Sequence, residues 1–421
     1  MLNGLLTFAS VMKSVGGILL AVLILLAMVT IHEFGHYVAG KILGFKINEF
    51  SVGFGPAILK KRSKKTGELF ALRVIPLGGY CAFDGEDEEE EETNAPLKAE
   101  EEPFEEMLSA PTQEQNDEGR YALNEETSGK NEQKQEEYPQ PKGERFNDQP
   151  PWKRIIVLIA GATMNYLLAL AFIITMFACY GCMHSYVVYT GEGETPIEQE
   201  TQLCDRDIIL SVNGKDIYMV TDYVDALSGT KAGEEIQVEI LRRDAEGKWQ
   251  ERTLTLTAKI DCNFKSMTET AKAGEALGLD MQTYAFAGVV MKEGFWETVG
   301  ASFVYSGKIA GSVLRSLGEL ITGRLGINAM GGPVTTISIT AQAASGGMLS
   351  FLNIAAFIGV NLAVFNLLPI PALDGCKVIF CAIEWIRKKP VNRKVETMIH
   401  FIGIILLFGF AILVDLLQLF L

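Results

Sequence analysis

Long apolar runs dominate the pattern of hydrophobic and polar positions along this chain of 421 residues. Four runs are long enough for a helix to cross a bilayer, which takes roughly 20 residues. They extend over residues 16–40, 155–182, 349–370 and 399–419. A fifth run, 300–321, includes Lys308, Arg315 and Glu319, so it predicts an amphipathic helix on the membrane surface. The pattern therefore predicts a membrane α-helical protein with four transmembrane helices.

Positive charges indicate which loops are cytoplasmic, because such loops carry an excess of Lys and Arg. Clusters follow the first predicted helix, precede the second, and separate the third from the fourth. They consist of Lys41, Lys46, Lys60, Lys61, Arg62, Lys64 and Lys65, then Lys153 and Arg154, then Arg387, Lys388, Lys389, Arg393 and Lys394. We therefore expect the loop between the first and second helices and the loop between the third and fourth helices in the cytoplasm. Residues 183–347 and both termini are then expected outside.

Two segments directly after the first helix alternate apolar and polar residues, as strands do. They are residues 45–59 and 69–83, and both contain glycine pairs. The pattern predicts a membrane-associated β-hairpin or sheet. Such backbone is tolerated at membrane depth only where protein covers it or it lines a wet cavity.

The outside region contains a pattern typical of a small α+β domain. Residues 208–212 predict a strand that ends in an Asn-Gly turn, and 223–227 predict a short helix. Residues 236–242 and 252–256 predict a hairpin. This order resembles a PDZ domain, a class that binds an extended peptide at a sheet edge. PDZ domains usually have a glycine immediately before the aspartate in this region, but the segment Leu203-Cys204-Asp205-Arg206-Asp207 contains none. Peptide binding therefore stays open.

These patterns divide the chain into six predicted segments. They are 1–83, with the first helix and the β-region; 84–151, an acidic insert; 152–183, the second helix; 184–275, the PDZ-like domain; 276–347, an extracytoplasmic membrane-surface helical region; and 348–421, the third and fourth helices.

The charge is distributed unevenly. The net charge is -15 although the mean hydropathy is positive, +0.19. Residues 84–151 contain 23 Asp and Glu against 6 Lys and Arg, so the rest of the chain is nearly neutral. Such a composition predicts a disordered or solvated cytoplasmic insert. An apolar body without a basic stripe excludes a conventional soluble enzyme and argues against nucleic-acid binding.

One motif in the first helix carries chemistry: His32-Glu33-Phe34-Gly35-His36. Residues four apart share a helix face, so both imidazoles can bind one metal ion, while Glu33 activates its water. The alternative is a pair of structural histidines at a helix end. Burying such polar residues in a membrane is costly without compensation, which favours the metal site.

A catalytic zinc site needs a third protein ligand and keeps a fourth position for water. Asp374 is the best candidate, since His184 and His400 are predicted near the helix boundaries. With an outside N-terminus, His32 and His36 lie roughly 24–30 Å along the first helix at 1.5 Å per residue. The third helix also runs inward, and Pro369 and Pro371 break it just before Asp374. Both halves of the site are therefore predicted at the same depth.

The chain resembles the site-2 protease family of intramembrane zinc metalloproteases, in its bacterial RseP/RasP-like branch with PDZ domains. The resemblance rests on HEFGH, LGGY, Gly332-Pro333-Val334, the PDZ-like domain and NLLPIPALDG, and it covers nearly the whole chain. It implies that His32, His36 and Asp374 bind Zn²⁺ and that Glu33 is the catalytic base. Asn165, Asn361 and Asn366 match asparagines linked to substrate handling, although Ala162 stands where the family usually has proline.

The asparagines also make physical sense as substrate-binding residues. A substrate helix must unwind before hydrolysis, and each backbone group freed in lipid costs several kcal/mol unless it finds a partner. Asparagine amides supply such partners. The alternative role is to tie helices together. Under the substrate hypothesis, Asn366→Leu impairs cleavage and leaves the zinc content intact.

The predicted function is an intramembrane zinc endopeptidase that cuts transmembrane segments of single-span membrane proteins, such as anti-sigma factors or signal-peptide remnants. Its expected location is the bacterial plasma membrane, with the active site near the cytoplasmic side. One alternative is a catalytically inactive PDZ-type scaffold; another is a membrane gluzincin of the prenyl-protease type, which requires a Glu as third ligand. The sequence leaves the oligomeric state open.

Overall fold

The computed structural model describes residues 2–86, 138–191, 201–244, 246–326 and 331–420. Its helices are α1 (Leu2–Leu43), α2 (Pro151–Tyr180), α3 (Asp222–Leu227), α4 (Thr270–Ala276), α5 (Phe295–Ile321), α6 (Pro333–Ser345), α7 (Met348–Leu367), α8 (Asp374–Arg387) and α9 (Arg393–Phe420). Its strands are β1 (Ile47–Arg62), β2 (Leu69–Phe83), β3 (Cys182–Tyr189), β4 (Ile208–Val212), β5 (Lys215–Asp216), β6 (Glu235–Arg243), β7 (Trp249–Thr257) and β8 (Tyr284–Met291).

Four helices among the described residues are long and apolar enough to cross a membrane. The spans are Val15–Leu43, Pro151–Tyr180, Met348–Leu367 and Arg393–Gln418. They coincide with the four apolar runs of the sequence, so the prediction of four membrane helices alongside antiparallel sheets is confirmed. The chain is an integral membrane protein.

Helix α2 is the centre of the bundle and packs against α1, α5, α7 and α8. Small residues let the helices approach closely, as is typical where lipid supplies no hydrophobic drive between helices. A Cβ added at Gly35 of α1 would lie 2.4 Å from the carbonyl oxygen of Ala160 on α2. On α7, a Cβ at Gly359 would lie 2.9 Å from the Cβ of Ala169. The backbones of α1 and α7 are thus both held close to α2.

Strands β1 and β2 form the predicted antiparallel hairpin. The buried carboxylate of Glu68, just before β2, anchors the hairpin to the end of α1. It accepts hydrogen bonds from Tyr37 Oη at 3.1 Å and Thr66 Oγ1 at 2.9 Å, and it pairs with Lys41. Several large apolar side chains of the hairpin are exposed. They are Phe54, Ile58, Leu59, Phe70, Leu72, Val74 and Ile75.

The end of the predicted acidic insert packs on the base of this hairpin. The ring of Phe146 is buried and lies 5.4 Å from the rings of both Phe45 and Phe83. The backbone N–H of Lys46 donates to the carbonyl of Glu144 at 2.8 Å. The predicted insert 84–151 therefore includes structured residues at its end. Burial of the Phe146 ring stabilises them although the surrounding residues are charged or polar. Residues 87–137 lie outside the described part of the chain.

The region between α2 and α5 contains a six-stranded antiparallel sheet in the order β7-β6-β4-β3-β8, with β5 paired to β4. The predicted hairpin corresponds to β6 and β7. The predicted division at residues 275 and 276 cuts this sheet, because β8 pairs with β3 along its whole length. The partner of β8 lies about 100 residues earlier in the chain, so no local pattern in the sequence predicts their pairing.

Arg206 stands where the resemblance to PDZ domains leads us to expect a glycine. Arg206 adopts a φ of 66°, in the left-handed region that favours glycine. The following Asp207 is buried and holds the turn. Its carboxylate accepts a hydrogen bond from the backbone N–H of Cys204 at 2.8 Å and pairs with Arg242 at 2.6 Å. Arg206 thus takes the conformation that glycine adopts easily.

Helix α5 connects the sheet domain to the bundle. On one side, Lys308 pairs with Asp222 at 3.1 Å, and Arg315 pairs with Asp225, both on α3. On the other side, buried Tyr305 donates to Asn353 of α7 at 3.1 Å. Ile309 of α5 also belongs to the buried apolar cluster that contains Ile173 of α2 and Val360 of α7. The amphipathic character of the sequence therefore corresponds to a helix with ion pairs to the sheet domain on one side and a buried side packed on the bundle.

Candidate metal centre

Three side chains from two distant parts of the chain converge inside the helical bundle. His32 and His36 lie one turn apart on α1, and Asp374 is the first residue of α8. Asp374 Oδ2 is 3.0 Å from His32 Nε2 and 3.3 Å from His36 Nε2, and the two Nε2 atoms are 3.1 Å apart. The structure thus brings together the three residues that sequence reasoning selected as metal ligands.

The spacing of these three atoms fits a metal ion. Zinc at about 2.0–2.1 Å from tetrahedral N and O ligands separates those ligands by about 3.3–3.5 Å. Asp374 Oδ2 is buried, and the polar side-chain atoms closest to it are the two imidazole nitrogens. A buried carboxylate oxygen facing two imidazole nitrogens is stabilised by a shared cation. Of the residues that the structure describes, this is the one group of three or more His, Cys, Asp or Glu close enough to hold a metal.

His36 is oriented by the backbone of α2. Its Nδ1 lies 2.8 Å from the carbonyl oxygen of Val157 and donates its proton there. This bond fixes the tautomer and leaves the Nε2 lone pair facing the other two candidate ligands. Val157 is an ordinary apolar residue, so the sequence contains no signal for this contact.

His32 is oriented by two asparagines. The amide groups of Asn165 on α2 and Asn366 on α7 both lie 3.4 Å from its Nδ1. If Nε2 binds a metal, Nδ1 carries the proton and needs an acceptor. A 180° rotation of the Asn165 amide places its Oδ1 beside His32 Nδ1 as the acceptor. The rotation also gives Asn165 Oδ1 a hydrogen bond, since this buried oxygen otherwise has no partner among the described residues.

Asn361 lies apart from this centre. Its amide donates to the carbonyl of Phe357 one turn earlier on α7, at 2.8 Å, and the residue is half-buried. Of the three asparagines predicted to bind substrate, two therefore contact a candidate ligand and one does not. Their role in substrate binding stays a prediction.

We expect Asn165→Leu to lower zinc affinity by about 10- to 100-fold, the usual effect of removing a group that orients a metal ligand. The reason is that His32 would lose the acceptor for its Nδ1 proton. Competition with a chromogenic zinc chelator in detergent measures the change. Asn361→Leu is the matched control, and equal affinities in both variants would contradict the role of Asn165.

Glu33 lies beside the two histidines, half-buried under the hairpin. A Cβ added at Gly79 of β2 would lie 3.3 Å from Glu33 Cγ and 2.8 Å from the carbonyl oxygen of Ser51 on β1. The glycine of the LGGY segment therefore allows the hairpin backbone to approach Glu33 closely. The hairpin thus forms one wall of the candidate site.

The loop before Asp374 is shaped by its prolines and by glycine. Helix α7 ends at Leu367, and α8 begins at Asp374 after a turn that contains Pro369 and Pro371. A Cβ added at Gly375 would lie 2.3 Å from the carbonyl oxygen of Leu368. Only glycine therefore lets α8 start so close to the end of α7, which explains the residue after Asp374.

Gly161 on α2 is a further residue of the centre that sequence reasoning did not assign. A Cβ at this position would lie 2.4 Å from His36 Nε2 and 2.8 Å from His32 Cε1. The two imidazoles therefore occupy the space that a side chain would fill. A glycine inside an apolar helix opposite a metal-binding motif is the signal that could have identified it.

An HExxH helix and a half-buried aspartate that meet among membrane-spanning helices define the class of membrane-embedded metallopeptidases. Residues 20–410 match the model of peptidase family M50, and the chain belongs to this family. It is similar to the zinc metalloprotease RasP of Bacillus licheniformis, with 27% identity over 416 residues that cover 91% of this chain and 94% of the relative. It is also 26% identical over 409 residues to the regulator of sigma-W protease RasP of Bacillus subtilis, covering 90% and 92%. The protein is a zinc-dependent site-2 metalloprotease of bacterial type.

Proposed function

We propose that His32, His36 and Asp374 bind the catalytic zinc and that Glu33 is the general base of an intramembrane endopeptidase. The observation that carries this proposal is the convergence of three ligand atoms within 3.0–3.3 Å of one another beside Glu33. The third ligand is an Asp at the start of α8, which disfavours the gluzincin alternative. The intact set of residues disfavours an inactive scaffold.

Each residue has a defined task in peptide hydrolysis. Zinc, when bound, supplies a Lewis acid that polarises the scissile carbonyl and acidifies water. Glu33 takes the proton of the attacking water and returns it to the leaving amine. His36, whose Nδ1 proton is accepted by the Val157 carbonyl, and His32, whose Nδ1 proton is accepted by the Asn165 amide, keep their Nε2 lone pairs at the centre.

The proposed substrates are single-span membrane proteins, including anti-sigma factors or signal-peptide remnants. The name of the Bacillus subtilis relative, regulator of sigma-W protease RasP, supports the first class. An unwound substrate has backbone groups that need partners in lipid. The hairpin of β1 and β2 offers them a sheet edge by strand addition, and Asn366 offers an amide.

The proposed topology has both termini outside and the active site near the cytoplasmic side of the bacterial plasma membrane. Lysines and arginines after α1 and between α8 and α9 support it. The sheet domain then lies outside, and we propose that it is a PDZ-like module. It limits access to substrates already shortened by another protease.

A reconstituted cleavage assay tests the proposed function. The purified full-length protein in lipid vesicles is mixed with a single-span substrate tagged at both ends. We expect cleavage within the apolar segment, loss of cleavage with 1,10-phenanthroline, and recovery on adding Zn²⁺. Cleavage outside the apolar segment, or cleavage that the chelator does not affect, would contradict the proposal.

A further inference from the structure

Helix α9 is loosely packed against the rest of the protein but touches the loop that delivers Asp374. Most of its large apolar side chains are exposed, among them Phe401, Ile405 and Phe408. Two residues one turn apart make the contact. His400 bonds to Ala372, and a Cβ added at Gly403 would lie 2.3 Å from the Cβ of Pro371. The contact therefore concentrates on the turn just before the candidate ligand.

Ala372 has a strained backbone. Its φ of 81° lies in the left-handed region that residues with a Cβ seldom adopt. Such conformations persist only where the surrounding structure holds them, and they concentrate at functional sites. Ala372 precedes Asp374 by two residues, so relaxation of this turn would move the carboxylate away from His32 and His36.

His400 is the side chain that holds this turn. The backbone N–H of Ala372 donates to His400 Nδ1 at 3.1 Å. The imidazole is in turn fixed by the ring of Phe380 on α8, edge-to-face at a centroid distance of 5.9 Å. A cavity of about 330 Å³ adjoins both Ala372 and His400, so the packing around this bond is incomplete. Within the turn, the backbone N–H of Leu373 donates to the carbonyl of Ile370 at 3.1 Å, and the bond to His400 adds a restraint from α9.

We propose that His400 is a positioning residue: its Nδ1 holds the left-handed turn at Ala372 and thereby sets Asp374 against His32 and His36. The inference rests on the proposed function, because it assumes that Asp374 is a metal ligand. The sequence made His400 a possible third ligand. The structure instead bonds it to the backbone of Ala372, two residues before Asp374.

Zinc affinity of the full-length protein, measured by chelator competition in detergent, tests the inference. We expect His400→Leu to weaken zinc binding by about 10- to 100-fold, as for other groups that orient a metal ligand. His400→Asn should bind nearly as well as wild type, since its Oδ1 replaces Nδ1 as acceptor. A mere packing role predicts the reverse order, because leucine fills more space than asparagine.

A second-site variant gives an independent test. Glycine adopts a φ of 81° without strain, so Ala372→Gly combined with His400→Leu should recover most of the lost affinity. Phe401→Leu, next to His400 on an exposed face, is the control for a change in α9 and should bind zinc as wild type does.

Three outcomes would overturn the inference: wild-type affinity in His400→Leu, an asparagine variant as weak as the leucine variant, or no recovery with Ala372→Gly. Failure of the proposed function is distinguishable from these outcomes, since the wild-type protein itself would then bind no zinc.

Discussion

Glu33→Gln is expected to reduce kcat/KM for a membrane substrate by about 10³-fold or more, near the upper range for general acid–base catalysis. Glutamine keeps the size of the side chain but cannot take the proton of the attacking water. Because Glu33 is not among the three convergent ligand atoms, zinc content should stay at the wild-type level. Cleavage of a reconstituted single-span substrate and metal analysis of the same preparation measure both effects.

Glu297→Gln makes the same chemical change on the exposed first turn of α5 and serves as the control. It should cleave and bind zinc as wild type does. Substantial cleavage by Glu33→Gln would contradict the assignment of the base. Parallel loss of zinc and cleavage would show instead that Glu33 maintains the metal centre.

Gly161→Ala is expected to abolish stable zinc binding although every motif residue is intact. The new Cβ would lie 2.4 Å from His36 Nε2. The imidazole cannot move away freely, because Val157 holds its Nδ1 on the far side. The helices cannot separate easily either, since Gly35 already lies against Ala160. A displacement of about 1 Å in such a site typically costs 10²-fold in rate.

Metal analysis after dialysis, together with the cleavage assay, measures this loss. Gly409→Ala is the matched control, because a Cβ at this glycine of α9 has no heavy atom within 4 Å among the described residues. Wild-type zinc content in Gly161→Ala would mean that the imidazoles do not occupy the position seen here.

The sequence predicted those parts of the fold that local patterns determine. Long apolar runs predict spanning helices because lipid leaves the backbone no other way to satisfy its hydrogen bonds. Alternation and glycines predicted the hairpin of β1 and β2. Strand β8 was not predicted in the sheet, since it pairs with β3 from a distance of about 100 residues. The structured end of the insert was missed because Phe146 stands alone among polar residues.

The candidate centre was predictable as far as depth and chemistry determine it. HExxH gives two ligands on one helix face, and the prolines before Asp374 bring a carboxylate to the same level. The contacts that orient these ligands were not predictable. The Val157 carbonyl, the space at Gly161 and the bond from Ala372 to His400 depend on how helices pack, and any apolar helix offers carbonyls and small residues.

Residues 84–85 and 146–147, on either side of residues 87–137, are neighbours in space. The backbone N–H of Phe146 donates to the carbonyl of Asp84 at 2.8 Å, and Asn147 bonds to the carbonyl of Gly85. The chain before residues 87–137 is therefore bonded directly to the chain after them, at the base of the hairpin. Since the entropy of closing a loop grows only slowly with its length, residues 87–137 can be lengthened, shortened or replaced in evolution or by design without straining the catalytic helices.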